Sequence, residues 1–278
     1  SEHYNVKNDS SYAQGDLRNM KVTLNEASIS VKGSLCKYFY GNNIDTLNLT
    51  NTREALNQIS ADLSIDIHKA SVSRIDFSTN IVTDFTPTIY YPYLGQLSRF
   101  ERYEQPNSIY YNQQAKRLLF YDKIEEAKNK GMTIPKQHIG DNLLRYELVL
   151  NKGISRYLKY NGLYVQDLGS EELFKKLLHL WYSYYQQIQK HSKQLNTMSN
   201  NISNPKTALK ELLEELIKNP DEFYKMVAEL KAKKKFKHPE YYSRINAEIR
   251  KIQKTQVVDN ELMDELNKKI EGIYLELI

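Results

Sequence analysis

Two periodicities divide the chain. In the first half, short segments alternate apolar and polar residues. Met20 to Leu24 and Ala27 to Val31 do so on either side of Asn25-Glu26, which predicts a β-hairpin with a tight turn. Gly33 to Tyr40 predicts a further strand, closed by the turn Gly41-Asn42-Asn43, whereas residues 1–18 are polar and aperiodic and predict a loop. Asn51 followed by Glu54 has the form of a capping box, and Leu56, Ile59 and Leu63 follow at helical spacing, so a helix is expected over about 51–62. Further strands are predicted at Val72–Thr79, Ser108–Asn112, Arg117–Lys123 and Leu143–Leu150. The aromatic, proline-broken segment 81–105 predicts an ordered flap. A short helix bearing Glu125, Glu126 and Lys128 should follow the strand at 117–123 and stop at Gly131.

Beyond residue 154 the pattern turns helical. Ser170 is a good N-cap for a helix running through Leu173, Leu177, Leu180 and Tyr184. Residues 193–205, rich in Asn and Ser and ending at Pro205, read as a linker. After it come four amphipathic helices: one through Leu209, Leu212, Leu213 and Leu216, one opened by Pro220, one after Pro239 through Ile245, Ile249 and Ile252, and one over 259–277. The pattern therefore predicts an α+β domain over 1–195, followed by a helical accessory region over 196–278.

The same alternation assigns faces. Ile75 and Phe77 point toward a core, so Arg74 and Asp76 point away from it. Tyr121 and Lys123 share one face of their strand, and Arg145 and Glu147 share one face of theirs. A sheet covered on one side commonly presents polar residues on the other, so a merely solvated face would account for the pattern. The residue types point to chemistry. Asp76 and Glu147, on separate strands, are hard-oxygen ligands suited to one Mg²⁺ or Mn²⁺ ion, which could polarise a phosphate. A nearby Tyr121 could attack phosphorus and form a covalent ester. A phenol has an ordinary pKa of about 10 and needs assistance, which Lys123 and the metal would give. Arg74 and Arg145 could clamp phosphate oxygens. The six histidines include no His-x-His pair; His68 could reach a metal, and His179 lies on an apolar helix and reads as structural.

Composition adjusts this picture only slightly. A single cysteine, Cys36, rules out a disulfide framework or a cysteine-rich zinc site and fits a reducing, cytoplasmic setting. No run approaches the ~18 apolar residues of a bilayer span, so no membrane association is expected. The net charge of +5 is compatible with a polyanionic partner, and the 22 tyrosines add surfaces on which bases can stack. The densest positive run, Lys231, Lys233, Lys234, Lys235 and Lys237, borders Tyr241 and Tyr242 and could meet DNA phosphates.

In order and spacing, Ser73-Arg74-Ile75-Asp76, the Tyr121-x-Lys123 strand, Leu144-Arg145-Tyr146-Glu147 and Ser155-Arg156-Tyr157-Leu158-Lys159 resemble the rolling-circle replication initiators of filamentous phages, the gene II/gene X type, and the related plasmid replication initiation factors. The likeness extends over roughly residues 20–185. It implies a fold of the histidine-hydrophobe-histidine nuclease kind, an antiparallel sheet backed by helices, with the histidine pair replaced. It also implies a metal-dependent, relaxase-like endonuclease that nicks and rejoins single-stranded origin DNA, keeping the 5′ phosphate on Tyr121 and freeing a 3′ hydroxyl for a host polymerase, with a helicase as a further partner. Tyr110 or Tyr111 would be candidates for a second tyrosine. Two other classes remain open at this point: a DNA-binding copy-control protein without catalysis, and a nuclease that uses water.

Overall fold

The computed structural model describes residues 3–7, 10–190, 220–236, 238–255 and 261–278. The chain begins with a four-stranded antiparallel meander, β1 (His3–Lys7), β2 (Ser10–Leu17), β3 (Met20–Asn25) and β4 (Ser28–Lys32). Two helices follow, α1 (Leu35–Tyr40) and α2 (Leu49–Leu63). The second sheet is antiparallel and five-stranded in the order β5-β9-β8-β7-β6. Its strands are β5 (Ile75–Thr83), β6 (Glu101–Gln105), β7 (Ser108–Asn112), β8 (Lys116–Asp122) and β9 (Asn142–Leu150). Between β8 and β9 lies α3 (Lys123–Asn129). After β9 come α4 (Ile154–Leu158) and α5 (Glu171–Gln187), then α6 (Pro220–Ala232), α7 (Glu240–Thr255) and α8 (Glu261–Leu277). This is an α+β fold with a helical C-terminal region.

The five-stranded sheet has one apolar and one polar face, as period two requires. Leu144, Tyr146, Leu148 and Leu150 of β9, Leu118 and Phe120 of β8, and Ile109 and Tyr111 of β7 form the buried side. Helix α5 covers it with Leu173, Leu177, Trp181 and Tyr185. The rings of Phe120 and Tyr146 stack at 4.2 Å. Tyr146 donates its hydroxyl hydrogen to the Trp181 carbonyl at 3.0 Å, and the Trp181 indole donates back to the Tyr146 carbonyl at 3.3 Å. Burying two such large aromatics while satisfying both polar tips fixes α5 on the sheet. Ser170 caps α5, accepting from the Leu173 amide at 3.2 Å. Helix α8 adds Met263, Leu266 and Ile270 to the same core.

Several local expectations are corrected. Residues 35–40 are helical, not extended. Ser34 accepts from the Lys37 amide at 3.3 Å, and Gly41, at φ 77°, ends the helix with its amide on the Lys37 carbonyl. With both ends capped and Tyr38 buried against Met20 and Ile59, the β-preference of the aromatics is overridden. The expected loop at 1–18 holds β1 and β2. Their pairing rests on backbone hydrogen bonds, and a two-residue turn, Arg18-Asn19, joins β2 to β3 with Arg18 at φ 53°. The strand expected at 72–79 begins at Ile75 and continues to Thr83. The flap packs inward: Tyr90 and Tyr91 sit in the main core. The expected stop of α3 at Gly131 is present, with φ 63°. The linker expected at 193–205 and the helix through Leu209–Leu216 lie outside the described residues.

Candidate active site

The register of the large sheet arranges its polar face as a grid. One row runs Gln105, Ser108, Tyr121, Arg145, Asn80; the next runs Tyr103, Tyr110, Leu119, Glu147, Ser78; the third runs Glu101, Asn112, Arg117, Val149, Asp76. Tyr121, Arg145, Glu147 and Asp76 therefore share a face, as their sequence spacing predicts.

Tyr121 donates its hydroxyl hydrogen to Glu147 Oε1 at 2.9 Å. The same oxygen accepts from Arg145 Nε at 2.9 Å. Arg145 also donates to the Asn43 carbonyl at 2.8 Å, Asn80 Oδ1 at 3.1 Å and Ser78 Oγ at 2.6 Å. It is a buried arginine whose donors all point inward, so it braces Glu147 rather than standing free. Burial, then the Glu147 charge, pushes the Tyr121 phenol well above its ordinary range, with Arg145 pulling the other way.

Lys123 is placed differently from the expectation. It is the first residue of α3, not a strand residue, because Asp122 caps that helix by accepting from the Glu125 amide at 2.9 Å. Its ammonium still comes to 5.7 Å from the centre of the Tyr121 ring. Fully buried, it donates to Asn43 Oδ1 at 2.9 Å and Glu126 Oε2 at 2.7 Å. Desolvation lowers its pKa, partly offset by Glu126. Asn43, with its carbonyl on Arg145 and its side chain on Lys123, locks the site from the α1–α2 connection. It escapes sequence reasoning because nothing local marks a turn residue as a partner of two distant cations. Ser78, Asn80 and Glu126 were missed likewise, although period two alone puts Ser78 and Asn80 on the Asp76 face.

Asp76 is half-exposed and pairs with Arg74 through two bonds, Nε to Oδ1 at 2.7 Å and Nη2 to Oδ2 at 2.8 Å. It sits diagonally across from Glu147, whose partner on β5 is Ser78. Among the described residues no group of three or more His, Cys, Asp or Glu side chains gathers as a metal cage. Asp76 and Glu147 are hard-oxygen groups on adjoining strands, the donor type that an ion such as Mg²⁺ takes alongside several waters. Glu147 Oε2 accepts no hydrogen bond from the described residues, leaving an oxygen for such a role.

Other expected residues lie elsewhere. His68 lines a cavity with Ser60, Ser64 and Asp66 at the end of α2. His179 meets the Tyr274 hydroxyl at 2.6 Å. Tyr111 is fully buried on the core face, donating to the Leu94 and Gly95 carbonyls, which removes it as a second nucleophile; Tyr110 is on the polar face. Lys233, Lys234 and Lys235 are exposed just past α6, on a hairpin with α7 that has its own small core of Val227 and Tyr242.

Residues 1–171 match the family model that describes the N-terminal part of the phage gene II replication-associated protein. The chain belongs to this family. It is thus a rolling-circle replication initiator of the filamentous-phage gene II type. The matched stretch holds both sheets and every site residue from Arg74 to Glu147, and ends as α5 begins; the lysine run lies beyond it. No curated protein and no solved structure matches the initiator significantly. No helix among its described residues is long and apolar enough to cross a membrane.

Proposed function

We propose that the initiator nicks and rejoins single-stranded origin DNA with Tyr121 as nucleophile. The observation that carries this reading is the bond from the Tyr121 hydroxyl to Glu147 on the polar face of the sheet. Glu147 takes the phenolic proton as Tyr121 Oη attacks phosphorus. The Oη–P bond forms, the P–O3′ bond breaks, and the proton held by Glu147 goes to the leaving 3′ oxygen. The products are a 5′-phosphotyrosine and a free 3′ hydroxyl, which a host polymerase and helicase would take up. Reversal of the same steps rejoins the strand.

Arg145 holds Glu147 in register and adds positive charge beside it. Arg74, half-exposed, is the phosphate contact on the Asp76 side. Lys123 lies against the Tyr121 ring and favours the phenolate electrostatically. Asp76 and Glu147 would hold a Mg²⁺ or Mn²⁺ ion, which would supply positive charge at the scissile phosphate. Lys233, Lys234 and Lys235 would add phosphate contacts outside the sheet.

The test is an end-labelled origin oligonucleotide incubated with Mg²⁺ and resolved on a denaturing gel. A protein-linked band is expected from the native chain and none from Tyr121→Phe; an adduct that survives Tyr121→Phe overturns the assignment. One observation favours a second reading, a DNA-binding copy-control protein without catalysis: the Tyr121 ring is half-buried and its hydroxyl is tied to Glu147. That reading expects salt-dependent binding and no covalent band with any metal.

A further inference from the structure

The row of the grid that contains Glu147 continues across β8 and β7 to the free edge of the sheet, and it ends in two tyrosines. Tyr110 lies opposite Leu119, and Tyr103 lies opposite Tyr110 on the edge strand β6. Their ring centres are 6.3 Å apart and the rings are tilted by 44°, so they form no tight stack with each other. Tyr103, on the exposed edge strand, is 55% exposed. Arg117, one row away on β8, sets its guanidinium 5.9 Å from the centre of the Tyr110 ring. Its Nε is shielded from solvent and has no hydrogen-bond partner among the described residues. The cluster thus offers aromatic faces and a cation beside one of them.

We infer that Tyr103, Tyr110 and Arg117 form a base-stacking subsite for the single strand that enters the Tyr121 site. The inference rests on the reading of Tyr121 as the nucleophile of a DNA-nicking site and adds how the substrate is held there. With strands about 4.8 Å apart, Tyr110 stands about 10 Å across the sheet from Glu147 and Tyr103 about 14 Å. A strand whose phosphate sits at Tyr121 would lay a neighbouring base over the tyrosine pair. Every base has a π-face, so such a subsite grips DNA without reading sequence. Arg117 adds a cation beside the stack. Glu101 and Asn112 lie in the Arg117 row on the same face, so Glu101 sets a carboxylate at the edge of this region. Single strands, whose bases are free to turn outward, suit this platform; a duplex, with its bases already stacked, offers no face to it.

The experiment measures fluorescence anisotropy of labelled single strands on the full chain, in EDTA so that no cleavage intervenes. The probes are a dT₁₂ oligomer and the same length made entirely of abasic sites, equal in charge. The native chain is expected to bind dT₁₂ more tightly than the abasic strand, by roughly five-fold or more for each stacked base. Tyr103→Ala should remove a comparable factor for dT₁₂ and leave abasic binding unchanged, while Tyr103→Phe should behave as the native chain. Tyr103 is exposed, so neither variant threatens folding. Equal binding of the two probes by the native chain, or an equal loss for both probes in Tyr103→Ala, overturns the inference. The Tyr121→Phe chain, run alongside, should keep the base-dependent difference. If that difference persists while the native chain makes no adduct in Mg²⁺, the nicking reading fails and the stacking subsite stands.

Discussion

Glu147 Oε1 takes two hydrogen bonds at once, from the Tyr121 phenol and the Arg145 guanidinium, and this shared acceptor is the pivot of the site. While Glu147 is ionised and unengaged by substrate, its charge opposes the phenolate, and burial opposes it further. On the proposed mechanism the resting tyrosine is a phenol whose proton leaves only during attack, to Glu147. Glu147→Gln keeps the shape and an acceptor oxygen but cannot take the proton. It should slow adduct formation by roughly 10²-fold or more, measured by quenched time points on a denaturing gel, with dT₁₂ binding kept. Arg145 is the structural counterpart. Replacing it with Met strips Glu147 of its brace and leaves the Asn43 carbonyl, Asn80 and Ser78 without their shared donor. A destabilisation of about 1–3 kcal/mol is expected in urea melts, because these acceptors lose their shared donor.

Period two was enough to place Asp76, Tyr121, Arg145 and Glu147 on one face, because each strand has an unmistakable apolar side, as in Leu144, Tyr146 and Leu148. It failed where local signals compete with the pattern. Lys123 continues the alternation of β8, yet Asp122 caps a helix there, and the chain leaves the sheet one residue earlier than hydrophobicity suggests. Leu35 to Tyr40 has strand-like composition, but Ser34 and Gly41 close a helical turn and a half. Partners that arrive from far along the chain, such as Asn43, have no local signature at all. Element ends also carry a testable electrostatic feature. Lys190, just past α5, donates to the Tyr185 and Ile188 carbonyls at 2.6 and 2.8 Å, and desolvation pulls its pKa down to about 7 from 10.5. Between those two values the unfolded chain holds a proton that the folded chain lacks, so this group makes stability rise with pH across that window. Below it both states are charged and above it both are neutral. Lys190→Met should remove a slope of up to about 1.4 kcal/mol per pH unit from the stability profile between about pH 7 and 10, read from urea midpoints.

Across the whole molecule, the last helix is tied to the sheet that carries the site. Helix α8 buries Met263, Leu266 and Ile270 in the main core. Glu265 accepts from the Asp84 amide at 2.9 Å and from the Tyr90 hydroxyl, and Lys269 pairs with Asp84. Asn267 takes the Tyr185 hydroxyl hydrogen at 2.6 Å. Asp84 and Tyr90 follow directly from β5, so α8 pins the connection that emerges from the Asp76 strand, more than 170 residues away in sequence. Such long-range closure stabilises the native state at a cost in folding speed, since the ends must meet before the contacts reward it. Leu266 is fully buried at the centre of this contact. Leu266→Ala should cost about 2–5 kcal/mol. The loss should appear as one cooperative transition shifted to lower urea, with tyrosine burial in the sheet core and helical signal lost together. If α8 folded independently of the sheet, the variant would instead split the melt, its helical signal falling early while the sheet core unfolded at the native midpoint.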